Sequence, residues 1–480
     1  MTDLNASILG GTYGRAADAS ARVQFRRGMT LTAMTLLMPG SAQLVMGNKA
    51  VGRLAIRVWL GFLAAGALLV VLAMTSRTGL FSLLTDGRVL TLVRWVLVAG
   101  AVAWVALLID AWRLARPRQM ARGHRLWMTG LNGVLCFVTA GTLLFGAHLV
   151  SVQNGFIGSV FASKTTSDPV DGRYNILLLG ADSGKDRSGL RPDSLTVASV
   201  DRETGRTVLI GLPRNLENVP FPKGSPMREE FPDGFDCEGC YLNAVNTWAN
   251  DHADLFGDVD EPGIEATMEA AGEITGLNIN YYAMVNMKGF SRLIDAVGGV
   301  EIDVKERTAI GGIGSPIRGY IEAGEQKLTG DEALWYSRSR VENDDWSRMG
   351  RQKCVMNAML QQLSPQKVLM NVQAIADSGK TLLETDIPAK DLDVMMDLAL
   401  KARSEKISSV SLVPPVVYTG NPDFDKVRSL VADEIAEAEG TAKPTSGITV
   451  ASLKVPDLSA DEDADDPRKD NQSDDLAATC

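Results

Sequence analysis

The sequence lacks several features that mark common functional classes. Beyond its first third it has no basic run with interleaved aromatic residues, so nothing in it supports nucleic-acid binding. A single Cys237-Glu238-Gly239-Cys240 motif without a second cysteine pair is a weak signal for zinc. The long apolar segments hold no interior acidic residues and no pairs of broken helices, which disfavours a transporter.

Charge and hydrophobicity are distributed unevenly along the 480 residues. The first third is apolar and basic, the middle resembles an ordinary soluble domain, and the end is acidic. The net charge of −10 therefore sums regions of opposite sign and says little about partners. The length is sufficient for several domains of roughly 150 residues each.

Three segments are apolar enough to cross a bilayer, which takes about 20 helical residues. They are Leu54–Thr75, Val89–Ile109 and Leu126–Val150. The alternative, three buried helices of a soluble protein, is disfavoured because soluble core helices are rarely apolar on all sides for this length. The weaker stretch Met29–Met46 is short and contains Pro-Gly-Ser, which predicts an interfacial or re-entrant element. Whether it forms a fourth span is left open.

Arginines near the membrane ends predict the orientation. The N-terminal arm and the loop Asp110–Arg125 are rich in arginine, whereas the loop between the first two spans has only Arg77 and Arg88, offset by Asp86. Three spans with both basic regions inside place residue 151 onward outside. The sequence thus predicts a multi-pass protein of the cell membrane, with the lipid bilayer as a partner and an extracytoplasmic C-terminal domain. A cleavable signal peptide is not predicted, because the apolar region starts late and recurs.

The region after the spans predicts an α/β fold, an α/β/α domain with a central mixed sheet covered on both faces. The predicted strands are Tyr174–Leu179, Leu195–Val200, Thr207–Leu212, Tyr281–Asn286, Val300–Val304 and Ile407–Leu412. The predicted helices are Ala244–His252, Gly263–Thr275, Lys288–Val297, a helix opened by a capping box at Thr329 and Glu332, Arg348–Leu363, Leu369–Leu383 and Leu392–Arg403.

These predictions divide the chain into five parts. They are a cytoplasmic arm at 1–28, a membrane region at 29–150, a polar linker at 151–172, an extracytoplasmic domain at 173–435 and a tail at 436–480. The tail is acidic and lacks aromatic residues, which is typical of disorder.

The cysteines outside the membrane agree with an oxidising compartment. There, Cys237 and Cys240 are predicted to form a structural disulfide. A thioredoxin-like redox site would need a strand before the motif and a helix opening at it. Turn residues precede the motif instead. Whether Cys354 pairs with one member of the motif is left open.

Unusual polar residues cluster around the predicted strand ends. Asp182 follows the first strand and Asp193 precedes the second, where neighbouring carboxylates can hold Mg²⁺. Arginine suits phosphate because its planar fork donates two parallel hydrogen bonds. The arginine-rich positions are Arg214, Arg338, Arg340, Arg348 and Arg351, followed by Gln352.

A structural alternative exists for each of these residues. Either aspartate is more commonly a turn or cap residue. The arginines could form a solvated face paired to Glu342, Asp344 and Asp345. The residue types alone do not decide between these interpretations. In an extended stretch, Arg338 and Arg340 would point to one side and could converge on one ligand.

The sequence motifs around these residues, and their order along the chain, resemble those of the LytR-CpsA-Psr family of Gram-positive cell-envelope enzymes. The stretches that carry the resemblance are Asn175–Ser183, Arg191–Ser194, Leu212–Arg214, Val285–Val304, Leu328–Arg340 and Arg348–Gln352. The chain differs from the usual pattern at Asn215, where aspartate often follows Pro-Arg, and at Tyr241, where a basic residue is usual. It also has more spans than most members, and its CxxC motif is additional.

The resemblance implies an enzyme that binds a polyprenyl-pyrophosphate-linked glycopolymer and transfers the glycan phosphate to a hydroxyl of peptidoglycan or protein, with pyrophosphatase activity as a side reaction. It implies that Asp182 and Asp193 hold Mg²⁺, with Mn²⁺ as the alternative ion. It also implies a pyrophosphate-binding set and a catalytic set. The first comprises Arg191, Arg214, Arg338, Arg340, Arg348 and Gln352, and the second comprises Asp193, Arg214, Arg338 and Arg340. The alternative function is a non-catalytic regulator of envelope assembly that binds the pyrophosphate lipid or the glycan.

Overall fold

The structure is a computed structural model that describes residues 22–161, 166–182, 191–312, 315–341, 345–362, 383–405, 407–414, 416–441 and 480. The chain divides into two compact units, Met1–Gly155 and Phe156–Cys480. The described residues of the first unit form helices. These are α1 at 22–37, α2 (Ser41–Val45), α3 (Lys49–Thr75), α4 (Arg77–Thr85), α5 (Gly87–Leu114) and α6 (Arg122–Val160).

Three helical stretches of the first unit are long and apolar enough to cross a membrane. They are Lys49–Thr75, Gly87–Gln119 and Arg122–Gly158, and each contains one predicted span. Large apolar side chains on them are exposed, for example Leu68, Val102 and Phe137. Apolar surface of this extent is suited to lipid rather than water.

The stretch Met29–Met46 is broken in the middle. Helix α1 ends at residue 37 and α2 begins at Ser41, with Gly40 at a φ of 93° between them. A Cβ atom on Gly40 would lie 2.6 Å from the Cβ atom of Ala55 in α3. The break therefore needs glycine both for its backbone conformation and for close packing.

The second unit is built around a six-stranded mixed sheet. The strands of the sheet are β1 (Arg173–Asp182), β2 (Arg191–Asp201), β3 (Thr207–Leu212), β4 (Tyr281–Asn286), β9 (Leu383–Thr385) and β10 (Ile407–Ser411). Their order in the sheet is β10-β3-β2-β1-β4-β9. The pairs β1–β2, β2–β3 and β4–β9 are antiparallel, whereas β1–β4 and β3–β10 are parallel. The predicted mixed α/β fold is confirmed.

Helices and two small ribbons surround this sheet. The ribbons pair β5 (Val300–Val304) with β8 (Gly324–Leu328) and β6 (Thr308–Ile310) with β7 (Gly319–Ile321). The helices are α7 (Pro226–Glu230), α8 (Val245–Asp251), α9 (Pro262–Thr275), α10 (Met287–Ala296), α11 (Gly330–Arg338), α12 (Asp345–Gln362), α13 (Leu392–Ala402) and α14 (Phe424–Glu439).

Alternation along β1 gives the sheet two covered faces. Leu177 and Leu179 belong to the largest apolar cluster, which includes residues of α8, α9 and α14. Leu178 points to the opposite face and packs near Met356 of α12. Both faces are therefore buried beneath helices, as the sequence predicts.

Two helices extend past boundaries predicted from the sequence. The polar linker predicted from Ser151 begins as helix, because α6 continues to Val160. Its polar residues find partners inside the first unit: Gln153 Nε2 donates to the Leu84 carbonyl at 2.8 Å, and Asn154 Nδ2 donates to Thr91 Oγ1 at 3.3 Å. A helix whose polar groups are satisfied need not end where its apolar run ends.

The boundary predicted between residues 435 and 436 is likewise crossed by a helix. Helix α14 continues past residue 435 to Glu439 and ends at Gly440, which has a φ of 69°. The C-terminal end of α14 is stabilised because Glu439 accepts a hydrogen bond at 3.2 Å from the buried Arg173. The predicted helix Leu369–Leu383 lies outside the described residues except for Leu383, which begins strand β9.

Candidate functional site

A cavity of about 350 Å³ lies between the sheet and helices α10, α11 and α12. Its wall is formed largely by apolar side chains from elements far apart in the sequence. The apolar lining residues are Leu178, Leu179, Ala181, Ala283, Val285, Met287, Phe290, Leu293, Leu334, Val355, Met356, Met359 and Leu383. Such a surface is suited to a hydrocarbon chain.

Polar residues complete the lining of the same cavity. They are Asp193, Ser194, Arg214, Asn286, Ser337, Arg338, Arg340, Arg348 and Gln352. The structure thus brings together five of the six residues predicted to bind pyrophosphate. Arg191, the sixth, is the exposed first residue of β2 and is not part of the lining.

Asp193 is held by arginines from two other elements. Arg214, two residues after β3, donates from Nη1 to Asp193 Oδ1 at 2.5 Å. The buried Arg348 of α12 donates from Nη1 to the Asp193 backbone carbonyl at 2.9 Å. The start of β2, the end of β3 and α12 are therefore joined at one point of the cavity wall.

The two predicted metal-binding carboxylates lie on neighbouring strands at the same edge of the sheet. Asp182 ends β1 and pairs in register with Arg191, two positions before Asp193 on β2. The side chain of Asp182 lies outside the described part of the structure. Among the described residues, no group of three or more His, Cys, Asp or Glu residues could hold a metal ion.

Helix α11 delivers Arg338 and Arg340 to the cavity. It begins with the predicted capping box between Thr329 and Glu332 and ends at Arg338. The guanidinium of Arg338 lies 5.0 Å from the ring centre of Trp335, and its Nη1 lies 2.7 Å from Met287 Sδ. Arg338 is thus the last helical residue rather than part of an extended stretch, yet both arginines line the cavity.

One face of α12 supports the end of α11. Arg351 Nε donates to the Tyr336 carbonyl at 2.7 Å, and its Nη2 donates to the Ser339 carbonyl. Gln352 Nε2 donates to the Ser337 carbonyl at 3.1 Å. The sequence identified Gln352 as a ligand for pyrophosphate. It counted Arg351 among the arginines suited to phosphate or to pairing with acidic residues, and it indicated no contact of either residue with α11. The i, i+3, i+4 spacing of 348, 351 and 352 was the available signal.

The acidic residues predicted as alternative partners of the arginines lie outside the described part of the structure. Residues 342–344 are not described, nor is the side chain of Asp345.

The structure contains two disulfide bonds among its described residues. Cys237 is bonded to Cys240, and Cys354 of α12 is bonded to Cys480. Cys354 therefore pairs with neither member of the CxxC motif.

A second, acidic groove was not predicted from the sequence. It has a volume of about 710 Å³ and is lined mainly by α9 and the segment that follows it. Its titratable residues are Asp260, Glu261, Glu265, Glu269, Glu273, Tyr282, Asp386 and Arg428. Burial raises the pKa of Glu269 to about 7, and the charge of Glu265 adds to this effect, whereas a hydrogen bond from Ser225 opposes it.

The raised pKa of Glu269 predicts a pH-dependent stability. The folded protein binds the proton of the Glu269 carboxyl more tightly than the unfolded chain does. The contribution of this proton to the free energy of unfolding is therefore complete below pH 4.5, and it is lost as the pH rises through about 7. The loss is about 1–2 kcal/mol, because solvent screening of the half-buried carboxyl weakens the effect of the pKa shift. We expect Glu269→Gln to remove this fall in the free energy of unfolding. Urea titrations at pH 5 and pH 8 measure it, with the exposed Glu229→Gln as control. A wild-type-like fall in Glu269→Gln would contradict the prediction.

Comparison with known proteins assigns the chain to a family. The model of the LytR_cpsA_psr family matches residues 158–435, more than half of the chain. The polyisoprenyl-teichoic acid–peptidoglycan teichoic acid transferase TagU of Enterococcus faecalis is 30% identical over 236 residues, which cover 48% of this chain and 66% of the relative. The protein of the same name from Halalkalibacterium halodurans is 26% identical over 279 residues, which cover 55% of this chain and 80% of the relative. The crystal structure of Bacillus subtilis TagV is 25% identical, covers 56% of this chain and 98% of that chain, and has a TM-score of 0.41. The chain therefore belongs to the LytR_cpsA_psr family.

Proposed function

We propose that the protein transfers the glycan phosphate of a polyprenyl-pyrophosphate-linked glycopolymer to a hydroxyl of peptidoglycan. The observation that carries this proposal is the cavity, which combines a long apolar wall with four arginines. A polyprenyl pyrophosphate has the same division into an apolar chain and an anionic head. The names of the relatives, transferases of teichoic acid to peptidoglycan, support the same reaction class.

The reaction is a phosphoryl transfer. The acceptor oxygen attacks the phosphorus that carries the glycan, and a new O–P bond forms. The bond from this phosphorus to the bridging oxygen breaks, and the lipid monophosphate leaves with the electron pair. The acceptor hydroxyl loses its proton to solvent as the new bond forms. With water as the acceptor, the same step is the pyrophosphatase side reaction.

Positioning and charge neutralisation supply most of the catalysis in such a reaction. Arg338 and Arg340 would bind the pyrophosphate through charge-assisted hydrogen bonds, which are about twice as strong as neutral ones. Arg214 and Arg348 hold Asp193 while lining the same cavity, so they would complete the cationic surface. Their guanidinium groups are fixed before the ligand arrives, which lowers the cost of reorganisation.

Asp182 and Asp193 are the residues that would hold Mg²⁺ or Mn²⁺. Carboxylate oxygens are the donors these ions prefer, and the register places the two residues at the same sheet edge. A bound ion would neutralise negative charge on the pyrophosphate. The aspartates would orient it beside the arginines.

Transfer by the purified full-length chain tests the proposed function. A radiolabelled lipid-linked glycan is incubated with peptidoglycan, and the label is followed into the insoluble polymer. We expect transfer with release of lipid monophosphate. Binding of the lipid without transfer or hydrolysis would refute the enzyme and favour a regulator that binds the pyrophosphate lipid.

We also propose that the second unit lies outside the cell membrane. Three apolar helices provide a membrane anchor. The basic loop between α5 and α6 would remain in the cytoplasm, because arginine-rich short loops are retained there. This orientation would bring the cavity to the side of the membrane where peptidoglycan lies.

Cysteine labelling of intact cells tests this orientation. In a Cys136→Ala background, a cysteine introduced at the exposed Ser404 should react with a membrane-impermeant maleimide, since it would lie outside. A cysteine introduced at Ala121, between α5 and α6, should react only after the cells are permeabilised. Labelling of the Ala121 position in intact cells would contradict the proposed topology.

A further inference from the structure

The C-terminal end of α11 carries backbone carbonyls that need partners. The last four carbonyls of an α-helix have no partner within the helix. At the end of α11 the Ser339 N–H donates to the Trp335 carbonyl, which satisfies one of them. The Tyr336 and Ser337 carbonyls instead accept hydrogen bonds from α12 side chains. The end of α11 is therefore fixed from another helix.

Arg351 makes the larger part of this connection. Its guanidinium donates to the carbonyls of Tyr336 and Ser339, which flank Arg338 on either side. The side chains of Tyr336 and Ser339 are buried. The guanidinium is a rigid fork, so two bonds to carbonyls three residues apart fix both the position and the direction of the chain between them.

Arg351 differs from its neighbours on the same face of α12. Arg348 and Gln352 line the cavity, whereas Arg351 is not part of the lining. Its guanidinium also lies 5.9 Å from the ring centre of Tyr336, within the range of a cation–π contact. These two hydrogen bonds and the ring contact lead to the segment that presents Arg338 and Arg340.

We infer that Arg351 is a positioning residue for the pyrophosphate site: by capping α11 it directs Arg338 and Arg340 into the cavity without touching the ligand. The inference rests on the proposed function. In this inference Arg338 and Arg340 bind the pyrophosphate, and Arg351 holds them in the orientation that binding requires. Loss of Arg351 should therefore weaken binding only to the extent that those two arginines contribute.

Arg351→Lys tests this inference. Lysine keeps the charge, but its point-like ammonium group cannot reproduce the fork. We expect the full-length chain in detergent to bind geranylgeranyl pyrophosphate on the order of tenfold more weakly, as for one lost charged hydrogen bond. Isothermal titration calorimetry measures the affinity. An unchanged affinity would overturn the inference.

Arg428→Lys is the matched control. Arg428 Nη1 donates to the Glu273 carbonyl in the last turn of α9 at 2.7 Å, and its Nη2 donates to Asp425. It thus also caps a helix end, but beside the acidic groove rather than the cavity. We expect the affinity of the Arg428→Lys variant for geranylgeranyl pyrophosphate to equal that of the wild type. An equal loss in both lysine variants would show general destabilisation and overturn the inference.

A double-mutant cycle separates positioning from direct contact. In an Arg338→Ala background, Arg351→Lys should reduce the affinity by less than it does in the wild type, because one of the two positioned arginines is already absent. Equal fold-losses in both backgrounds would show that Arg351 acts independently and would overturn the inference.

The melting temperature of each variant is measured on the same preparation. If Arg351→Lys does not fold, Arg351→Gln, which keeps an amide donor, enters the same cycle and the same criteria apply. A lower melting temperature with wild-type affinity would assign Arg351 a purely structural role. Absence of binding by the wild type would refute the proposed function, whereas wild-type binding that Arg351→Lys leaves unchanged would refute only the positioning role.

Discussion

The Arg338→Ala/Arg340→Ala double variant is expected to lose transfer activity by about a hundredfold or more while remaining folded. Each arginine would make charge-assisted hydrogen bonds to the pyrophosphate, and one such bond contributes roughly 1.5–3 kcal/mol. Neither side chain is fully buried, and neither belongs to an apolar cluster. The domain therefore loses little packing when both are shortened.

Transfer rate and melting temperature should be measured on the same preparation of this variant. Arg307→Ala/Arg318→Ala is the matched control, because these arginines lie at the β6–β7 ribbon and are about half exposed. The control should retain normal turnover, since exposed ion pairs contribute little. An Arg338→Lys/Arg340→Lys variant should recover little activity, because a lysine cannot form the bidentate fork.

The competing interpretation predicts a different pattern. If Arg338 and Arg340 only pair with nearby acidic residues, their removal should lower the melting temperature and leave the turnover of each folded molecule normal. A folded double variant with wild-type transfer would therefore exclude these arginines from the reaction. Loss of transfer with an unchanged melting temperature would assign them to the site.

The local elements of the fold were predictable because short-range patterns determine them. The strands Thr207–Leu212, Tyr281–Asn286 and Val300–Val304 have the bounds that the sequence predicts. Every residue of Thr207–Leu212 is buried, which explains its continuous apolar run rather than an alternating one. The capping box at Thr329 and Glu332 was likewise readable, because both of its hydrogen bonds lie within four consecutive residues.

The cavity wall was not predictable, because its residues come together only in the folded chain. Phe290 of α10 and Met356 of α12 both occupy helical positions that are also typical of an ordinary core. No local pattern distinguishes a helix face that packs against the sheet from one that leaves space beside it. The sequence therefore could not name the residues of this wall.

The directions of the side chains in the site could not be predicted from the sequence either. The arginine types were evident, but the sequence did not show that Arg351 faces a helix end or that Arg214 bonds to Asp193. These contacts join residues 12 to 21 positions apart through the folded structure. Cysteine connectivity is equally non-local, and Cys354 pairs with Cys480 across 126 residues.

The apolar part of the cavity leads to the second prediction with a large expected effect. Ala283 of β4 pairs in register with Leu178 of β1, and both residues line the cavity. An indole at position 283 would occupy space that a polyprenyl chain would otherwise fill. Excluding about four methylene groups at about 0.8 kcal/mol each costs about 3 kcal/mol. We therefore expect Ala283→Trp to reduce transfer from the lipid-linked substrate by about a hundredfold.

The same variant should keep its affinity for inorganic pyrophosphate, because Arg338 and Arg340 are unchanged. Isothermal titrations with pyrophosphate and with geranylgeranyl pyrophosphate measure the two affinities separately. Leu255→Trp adds similar bulk at an exposed position and should behave as the wild type. Overpacking can cost about 1–3 kcal/mol of stability, so the melting temperature is followed as well. Equal losses for both ligands would show that the tryptophan disturbs the anionic site. Wild-type transfer by a folded Ala283→Trp would show that the lipid chain binds elsewhere.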